Sequence, residues 1–204
     1  MENKWLNEAF KGEVPNGFQG KVGWASPSNI ALVKYWGKKG KQIPQNPSIS
    51  FTLSECRTET FIEYEKANRF GFSFFFEGKE NPAFGAKIEK FLLDNQAFFP
   101  FINQLNLKVE SRNSFPHSSG IASSASSMSA FVMCMLEIER LLVGPSTGSG
   151  TLIKASYFSR LASGSAARSV FPAMALWGKT EAYEGSSDEY AVSLANDIHP
   201  VFKT

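Results

Sequence analysis

The sequence predicts an α+β domain, a mostly antiparallel sheet with helices packed on one face. Three observations carry that prediction. Phe70, Phe72, Phe74 and Phe76 alternate with other residues, the period of a strand with one buried face. Ile121, Ala125, Met128, Val132, Met135, Ile138 and Leu142 recur at steps of three and four, as on one face of a long helix. Strand-like and helix-like stretches follow one another in mixed order without an internal repeat. A chain of 204 residues with 43% hydrophobic content suits one large domain with a real core.

Taken in order, residues 21–25 and 49–53 read as strands, with Pro27, Pro44 and Pro47 as breaks between them. Residues 60–65 form a further short β-rich run. The polar stretch 66–69 then predicts a hairpin into the phenylalanine strand. Helical spacing returns over 83–97, with Phe84, Ile88, Phe91 and Leu92 on one side, and stops near Pro100. Residues 105–109 resume β structure ahead of the long helix. Residues 144–150 are a glycine- and serine-rich surface connection, 152–161 a second helix after it, and 172–177 a last strand.

Composition excludes several classes. The 21 basic and 19 acidic residues leave a net charge of +2, so global electrostatics point to neither nucleic acid nor membrane. The first 20 residues are polar, and no apolar run reaches the roughly 18 residues of a membrane span. Two cysteines, Cys56 and Cys134, with Cys134 inside the helical pattern as a small buried thiol, favour a reducing cytoplasm. With two histidines, no cysteine pairs and no HExxH, a dedicated metal site is not expected.

Three clusters carry potential chemistry. Pro116-His117-Ser118-Ser119-Gly120-Ile121-Ala122-Ser123-Ser124 leads small residues and hydroxyls into the long helix. Backbone can approach an anion there, and the helix start aims unpaired N–H groups at it. A serine- and alanine-rich helix start packed closely on a neighbour explains the same composition equally well. Neither Gly-x-x-x-x-Gly-Lys-Ser/Thr nor Gly-x-Gly-x-x-Gly after a strand occurs, so the two best-known phosphate loops are excluded. The second cluster, Ser28-Asn29-Ile30-Ala31-Leu32-Val33-Lys34-Tyr35-Trp36-Gly37-Lys38-Lys39, gathers ammonium groups and a phenol suited to phosphate oxygens, or forms a basic exposed strand. The third, residues 163–169, offers Ser163, Ser165 and Arg168, whose planar fork suits a carboxylate or phosphate, or it is a helix end with a surface arginine.

Together these clusters resemble the mevalonate diphosphate decarboxylase family, within the galactokinase, homoserine kinase, mevalonate kinase and phosphomevalonate kinase superfamily. The motifs that carry it are Asn-Ile-Ala-Leu-Val-Lys-Tyr-Trp-Gly-Lys at 29–38, Gly-Ile-Ala-Ser-Ser-Ala-Ser at 120–126 and Ser-Arg-Leu-Ala-Ser-Gly-Ser-Ala-Ala-Arg-Ser at 159–169, in the family's order. The resemblance covers about residues 20–178. It implies a ribosomal-protein-S5-domain-2-like fold for the first domain. It also implies ATP-dependent decarboxylation of mevalonate 5-diphosphate to isopentenyl diphosphate, with Mg2+ carried by the nucleotide.

By matched position the resemblance puts Tyr35 and Lys38 on the substrate diphosphate, Ser163 and Ser165 around the substrate, and Arg168 on its carboxylate. Ser118, Ser119, Gly120, Ala122, Ser123 and Ser124 would cradle the ATP phosphates, and Asn29 and Lys34 would support the site. Where the family commonly has Pro-Thr-Ala-Ala-Gly, this chain has Pro116-His117-Ser118-Ser119-Gly120, which adds polar side chains to the loop. The family's catalytic aspartate lies in an Asp-Ala-Gly-Pro-Asn motif that the chain lacks, and Asp94, Asp188 and Asp197 stand in other contexts. The expectation is therefore an amino-terminal ATP- and substrate-binding domain over 1–204, without the family's carboxy-terminal domain. A homodimer is the oligomer to test. The competing expectations are a related phosphomevalonate decarboxylase or mevalonate kinase-like enzyme, and an inactive ligand-binding paralogue. An RNA binder on the ribosomal-like fold is disfavoured by the near-neutral charge.

Overall fold

Alternation along residues 48–66 organises the sheet. A computed structural model of the chain describes residues 9–116, 120–144 and 150–202. In it β4 (Ser48–Lys66) is the longest of the described strands, and its even-numbered residues turn inward at 48–50 and again over 58–64. Along that inward face the chemistry changes. Ser48, Ser50, Thr58 and Thr60 are buried hydroxyls, whereas Ile62 and Tyr64 join the hydrocarbon core. β1 (Gln19–Val33) runs antiparallel along one side of β4. The other side is shared between β8 (Met174–Trp177), paired with residues 48–51, and β7 (Leu105–Asn113), paired with residues 58–66.

The remaining strands extend this frame. β5 (Gly71–Phe76) pairs with β7 in parallel and with β6 (Lys79–Glu80), while β9 (Ala191–Ser193) pairs with β8. β2 (Lys38–Lys39) and β3 (Ile43–Pro44) form a separate ribbon. α1 (Pro82–Asp94) connects β6 to β7 and starts where the Asn81 side chain accepts the Phe84 N–H at 3.1 Å. α2 (Ser123–Val143) packs on β1 and β4, and α3 (Gly150–Ala162) packs on α2. The core lies between sheet and helices, with Ile62, Leu107, Val109, Phe131, Met135 and Phe158 at its centre. No helix among the described residues is long and apolar enough to cross a membrane.

Three expectations needed correction. The hairpin at residues 66–69 does not form, because β7 inserts between β4 and β5 and takes the pairing edge of both. Pro27 does not end a strand; β1 runs through it at an irregularity where the register moves from Pro27 opposite Arg57 to Ser28 opposite Leu53. The strands read separately at 49–53 and 60–65 are one. That shift leaves Ser54, Glu55 and Cys56 without partners on β1, which is why the β signal weakens between them. The surface connection expected at 144–150 falls largely outside the described residues.

Candidate functional site

The register shift in β1 prepares the site. Ser28 and Asn29 are consecutive yet both buried, breaking strand alternation, and each reaches a different segment. The Ser28 hydroxyl donates to the Ile121 carbonyl, on the loop entering α2. The Asn29 amide donates to the Ser169 hydroxyl at 2.7 Å and to the Ser165 carbonyl at 3.2 Å. Two consecutive residues of the second cluster therefore tie it to the other two.

At the start of α2, Gly120 and Ala122 adopt left-handed backbone, φ 77° and 57°, and no side chain caps the helix. Left-handed backbone costs an alanine something, so surrounding contacts must hold it. A Cβ added at Gly120 would meet nothing within 4 Å among the described residues. Ser123 is half-buried and Ser124 exposed. Ser118 and Ser119 lie outside the described residues. Close packing accounts for the inward-facing serines of the stretch. Ser126 and Ser129 pack inward, bonded to Thr58 at 2.7 Å and to Ser26 at 3.1 Å, while the first turn stays open.

The third cluster is not a surface arginine. Residues Gly164–Arg168 form a 3-10 helix, and Arg168 is buried to 2% exposure. Its Nη1 donates to the Ser48 hydroxyl, which in turn donates to the Val33 carbonyl at 2.6 Å. The Nε of Arg168 has no hydrogen-bond partner, and no carboxylate pairs with it among the described residues. Burial lowers its pKa to about 10, so it stays cationic at neutral pH. A buried cation without an anion is costly, and its neighbours here are aromatic. Tyr35 and Trp177 stand edge to face, centroids 5.0 Å apart, with the guanidinium 5.8 and 5.9 Å from their ring centres.

Lys38 joins this group from the β2–β3 ribbon. Its Nζ donates to the Gln42 side chain and lies 5.9 Å from the Tyr35 ring centre. Gly164 is what lets it approach, since a Cβ there would meet Trp177 at 2.9 Å and the Lys38 side chain at 3.2 Å. The fold thus assembles Asn29, Tyr35, Lys38 and Arg168, with Ser163 and Ser165 half-buried on the 3-10 segment beside them. Lys34 is exposed and makes no ion pair among the described residues; its carbonyl accepts from Asn46 at 3.0 Å. Among the described residues no cluster of three or more His, Cys, Asp or Glu side chains could hold a metal ion.

Several partners were not legible as site residues. Ser48 orients Arg168 from 120 residues away, and Trp177 walls the same cation. Asn46 clamps the lysine segment by accepting the Trp36 N–H at 2.7 Å. Only Asn46 left a local trace, as the turn-forming Asn-Pro pair before β4.

Comparison with known proteins supplies the family. Residues 26–191 match the diphosphomevalonate decarboxylase-like N-terminal domain family. Diphosphomevalonate decarboxylases of Gibberella zeae and Saccharomyces cerevisiae are each 31% identical, over 80% and 84% of this chain and 45% and 44% of theirs. The chain therefore spans about half the length of the curated relatives it matches. Among solved structures, mevalonate diphosphate decarboxylase from Staphylococcus aureus superposes with a TM-score of 0.67 at 31% identity, over 86% of this chain and 50% of that one. The Enterococcus faecalis decarboxylase, described for mevalonate diphosphate-mediated ATP binding, gives a TM-score of 0.68 at 30% identity over 88% and 53%. With the motifs, the fold and these matches in agreement, the chain belongs to the diphosphomevalonate decarboxylase-like N-terminal domain family.

Proposed function

We propose that this chain forms the substrate- and nucleotide-binding part of an ATP-dependent decarboxylase that converts mevalonate 5-diphosphate to isopentenyl diphosphate and carbon dioxide. The observation that carries the reading is Arg168, a buried guanidinium with an unpartnered Nε and no carboxylate beside it. Such a cation is strongly unfavourable unless an anion completes it. A substrate carboxylate would do so, with the orphaned Nε as donor. Beside that cation stand the half-buried Tyr35 and the exposed Lys38, whose phenol and ammonium suit a diphosphate. A substrate with an anion at each end would bridge the two, held for reaction by separate cationic groups.

The open first turn of α2, with Gly120, Ala122, Ser123 and Ser124, fits the phosphates of ATP, because its N–H groups lack a side-chain cap. A relative described as a complex with MVAPP, AMPPCP and magnesium supports both ligand classes. MgATP, when bound, supplies the phosphoryl group that activates the substrate's tertiary hydroxyl. The chain's own residues bind, orient and neutralise charge. Ser163, Ser165 and Asn29 would line the substrate. Lys34 would contribute field rather than contact. Since no Asp-Ala-Gly-Pro-Asn motif occurs in the sequence, residues 1–204 should bind without turnover.

Calorimetry with mevalonate 5-diphosphate, run beside a carbon dioxide release assay, tests this. Arg168→Gln should weaken substrate binding by roughly tenfold or more, the worth of ~1.5 to 3 kcal/mol for a charged hydrogen bond, while leaving nucleotide binding close to wild type. Substrate affinity unchanged by Arg168→Gln, or carbon dioxide release by residues 1–204 alone, would overturn the assignment.

A further inference from the structure

Tyr35 and Lys38 sit on a segment that cannot hold its own shape. β2 and β3 exchange two residue pairs, Lys38 with Pro44 and Lys39 with Ile43, in a sheet detached from the main one. Isolated two-stranded ribbons are marginal in water even when longer. The tip also carries backbone that needs outside support, Gly40 at φ 51° and Gln42 at φ 61°, the latter a non-glycine residue in left-handed conformation. Gln42 is the residue whose side chain accepts from the Lys38 ammonium. Whatever fixes this turn therefore fixes the lysine head.

The base of the segment is clamped by Asn46. The tip is held from inside the protein. Arg160, in the last turn of α3, is 2% exposed, and its Nη1 donates to the Lys41 carbonyl at the ribbon's turn. Its Nε donates at 2.6 Å to the Glu189 carbonyl, just ahead of β9. Its guanidinium carbon stands 5.0 Å from the centre of the Tyr157 ring. Desolvation of this guanidinium is expensive and holds its pKa down; the Lys41 and Glu189 carbonyls accept its hydrogen bonds, and the charges of Glu189 and Asp188 favour its cationic form. A buried arginine on a main-chain carbonyl holds a loop by position whatever the loop's side chains.

We propose that Arg160 is a positioning residue for anion binding, pinning the turn at Lys41 so that Gln42 and Lys38 stay aligned with Arg168. It touches no substrate atom. The proposal rests on the reading that Lys38 contacts the diphosphate, and it predicts that the ribbon's order and the substrate affinity fall together.

Two measurements on the 204-residue chain test it. In hydrogen exchange, Arg160→Lys should accelerate exchange of amides in residues 37–45, with β4, β7 and α2 unchanged. In calorimetry the same variant should bind mevalonate 5-diphosphate about tenfold more weakly, as expected when a binding-competent segment is populated about a tenth of the time. MgATP affinity should not move. In a Lys38→Ala background the effect of Arg160→Lys should shrink severalfold, because the group it aligns is gone. Arg160→Lys keeps the charge and most of the volume, so it reports even if Arg160→Ala fails to fold. Unchanged exchange at 37–45 would overturn the proposal, as would full additivity with Lys38→Ala or altered exchange with wild-type substrate affinity. A wild-type chain that binds no mevalonate 5-diphosphate would instead sink the substrate reading, and the positioning role with it.

Discussion

Arg168 and Cys134 are both buried ionisable groups, and they differ in what surrounds them. Arg168 keeps its charge beside two aromatic rings and a hydroxyl, while Cys134 sits among core side chains with its thiol donating to the Thr60 carbonyl at 3.4 Å. Burial pushes that thiol from 9.0 up to about 12. The unfolded chain therefore loses the proton at lower pH than the folded one, and Cys134's contribution to stability declines as pH rises above about 9. The stability gap between the native chain and Cys134→Ala should narrow by roughly 1 kcal/mol between pH 9 and 10, measured by urea unfolding at each pH. A gap that widens would contradict the shift. In a thiol titration at pH 8 the native chain should expose the half-buried Cys56 alone, with Cys134 reacting only in denaturant.

Residue chemistry was legible where the needed groups lie close in sequence. Tyr35 and Lys38 share one segment, and the serine-rich entry to α2 announced an open helix start. What could not be read was the partner set of Arg168, because the residues that hold it come from β4 and β8, and adjacency across strands leaves no local periodicity. A basic side chain after a run of small residues looks the same whether buried or solvated.

Among the elements, the turn that leaves β8 is held against the backbone that leads into β4. Gly178 has φ 113°, and a Cβ there would lie 2.6 Å from the Pro47 Cα. Backbone cannot yield as a flexible side chain would. Gly178→Ala should cost roughly 1 to 3 kcal/mol or more and lower the melting temperature, whereas Gly17→Ala, with open space around it, should cost only the ~1 kcal/mol of its positive φ. Equal losses at the two sites would show that Pro47 accommodates. Because Pro47 leads directly into Ser48, the Gly178 variant should also loosen Arg168. Element order followed from periodicity in the phenylalanine strand, α1 and α2. The pairing did not, since the sequence of β5 is equally compatible with β4 or β7 as neighbour. Inserting β7 between them satisfies both β4 and β5 at once, with Leu105, Leu107 and Val109 buried against the helices.

Across the whole molecule, polarity is graded along the sheet's inner face. Hydroxyl pairs such as Thr60 with Ser111, at 2.7 Å, and Thr58 with Ser126 lie toward the end that carries Asn29 and Arg168, and aliphatic and aromatic side chains fill the other. Ligand binding at one end should therefore stabilise the domain as a unit. Mevalonate 5-diphosphate at a hundredfold excess over its Kd should add about 2.7 kcal/mol, seen as a rise in melting temperature that Arg168→Gln cuts, at the same ligand concentration, to about 1.4 kcal/mol or less. No rise for the native chain would mean that the folded and unfolded forms bind it alike.

The slip at Ser54, Glu55 and Cys56 has a consequence for how this domain can change over time. Strand pairing normally propagates a length change to every residue beyond it, because one step exchanges inside for outside. Here three residues of β4 lie off the β1 ladder, and pairing restarts afresh at Leu53. An insertion or deletion among them alters slack rather than phase. The core half, keyed by Val22 opposite Ile62, and the half beside Arg168, keyed by Asn29 opposite Thr52, can each keep their alignment while the length between them drifts.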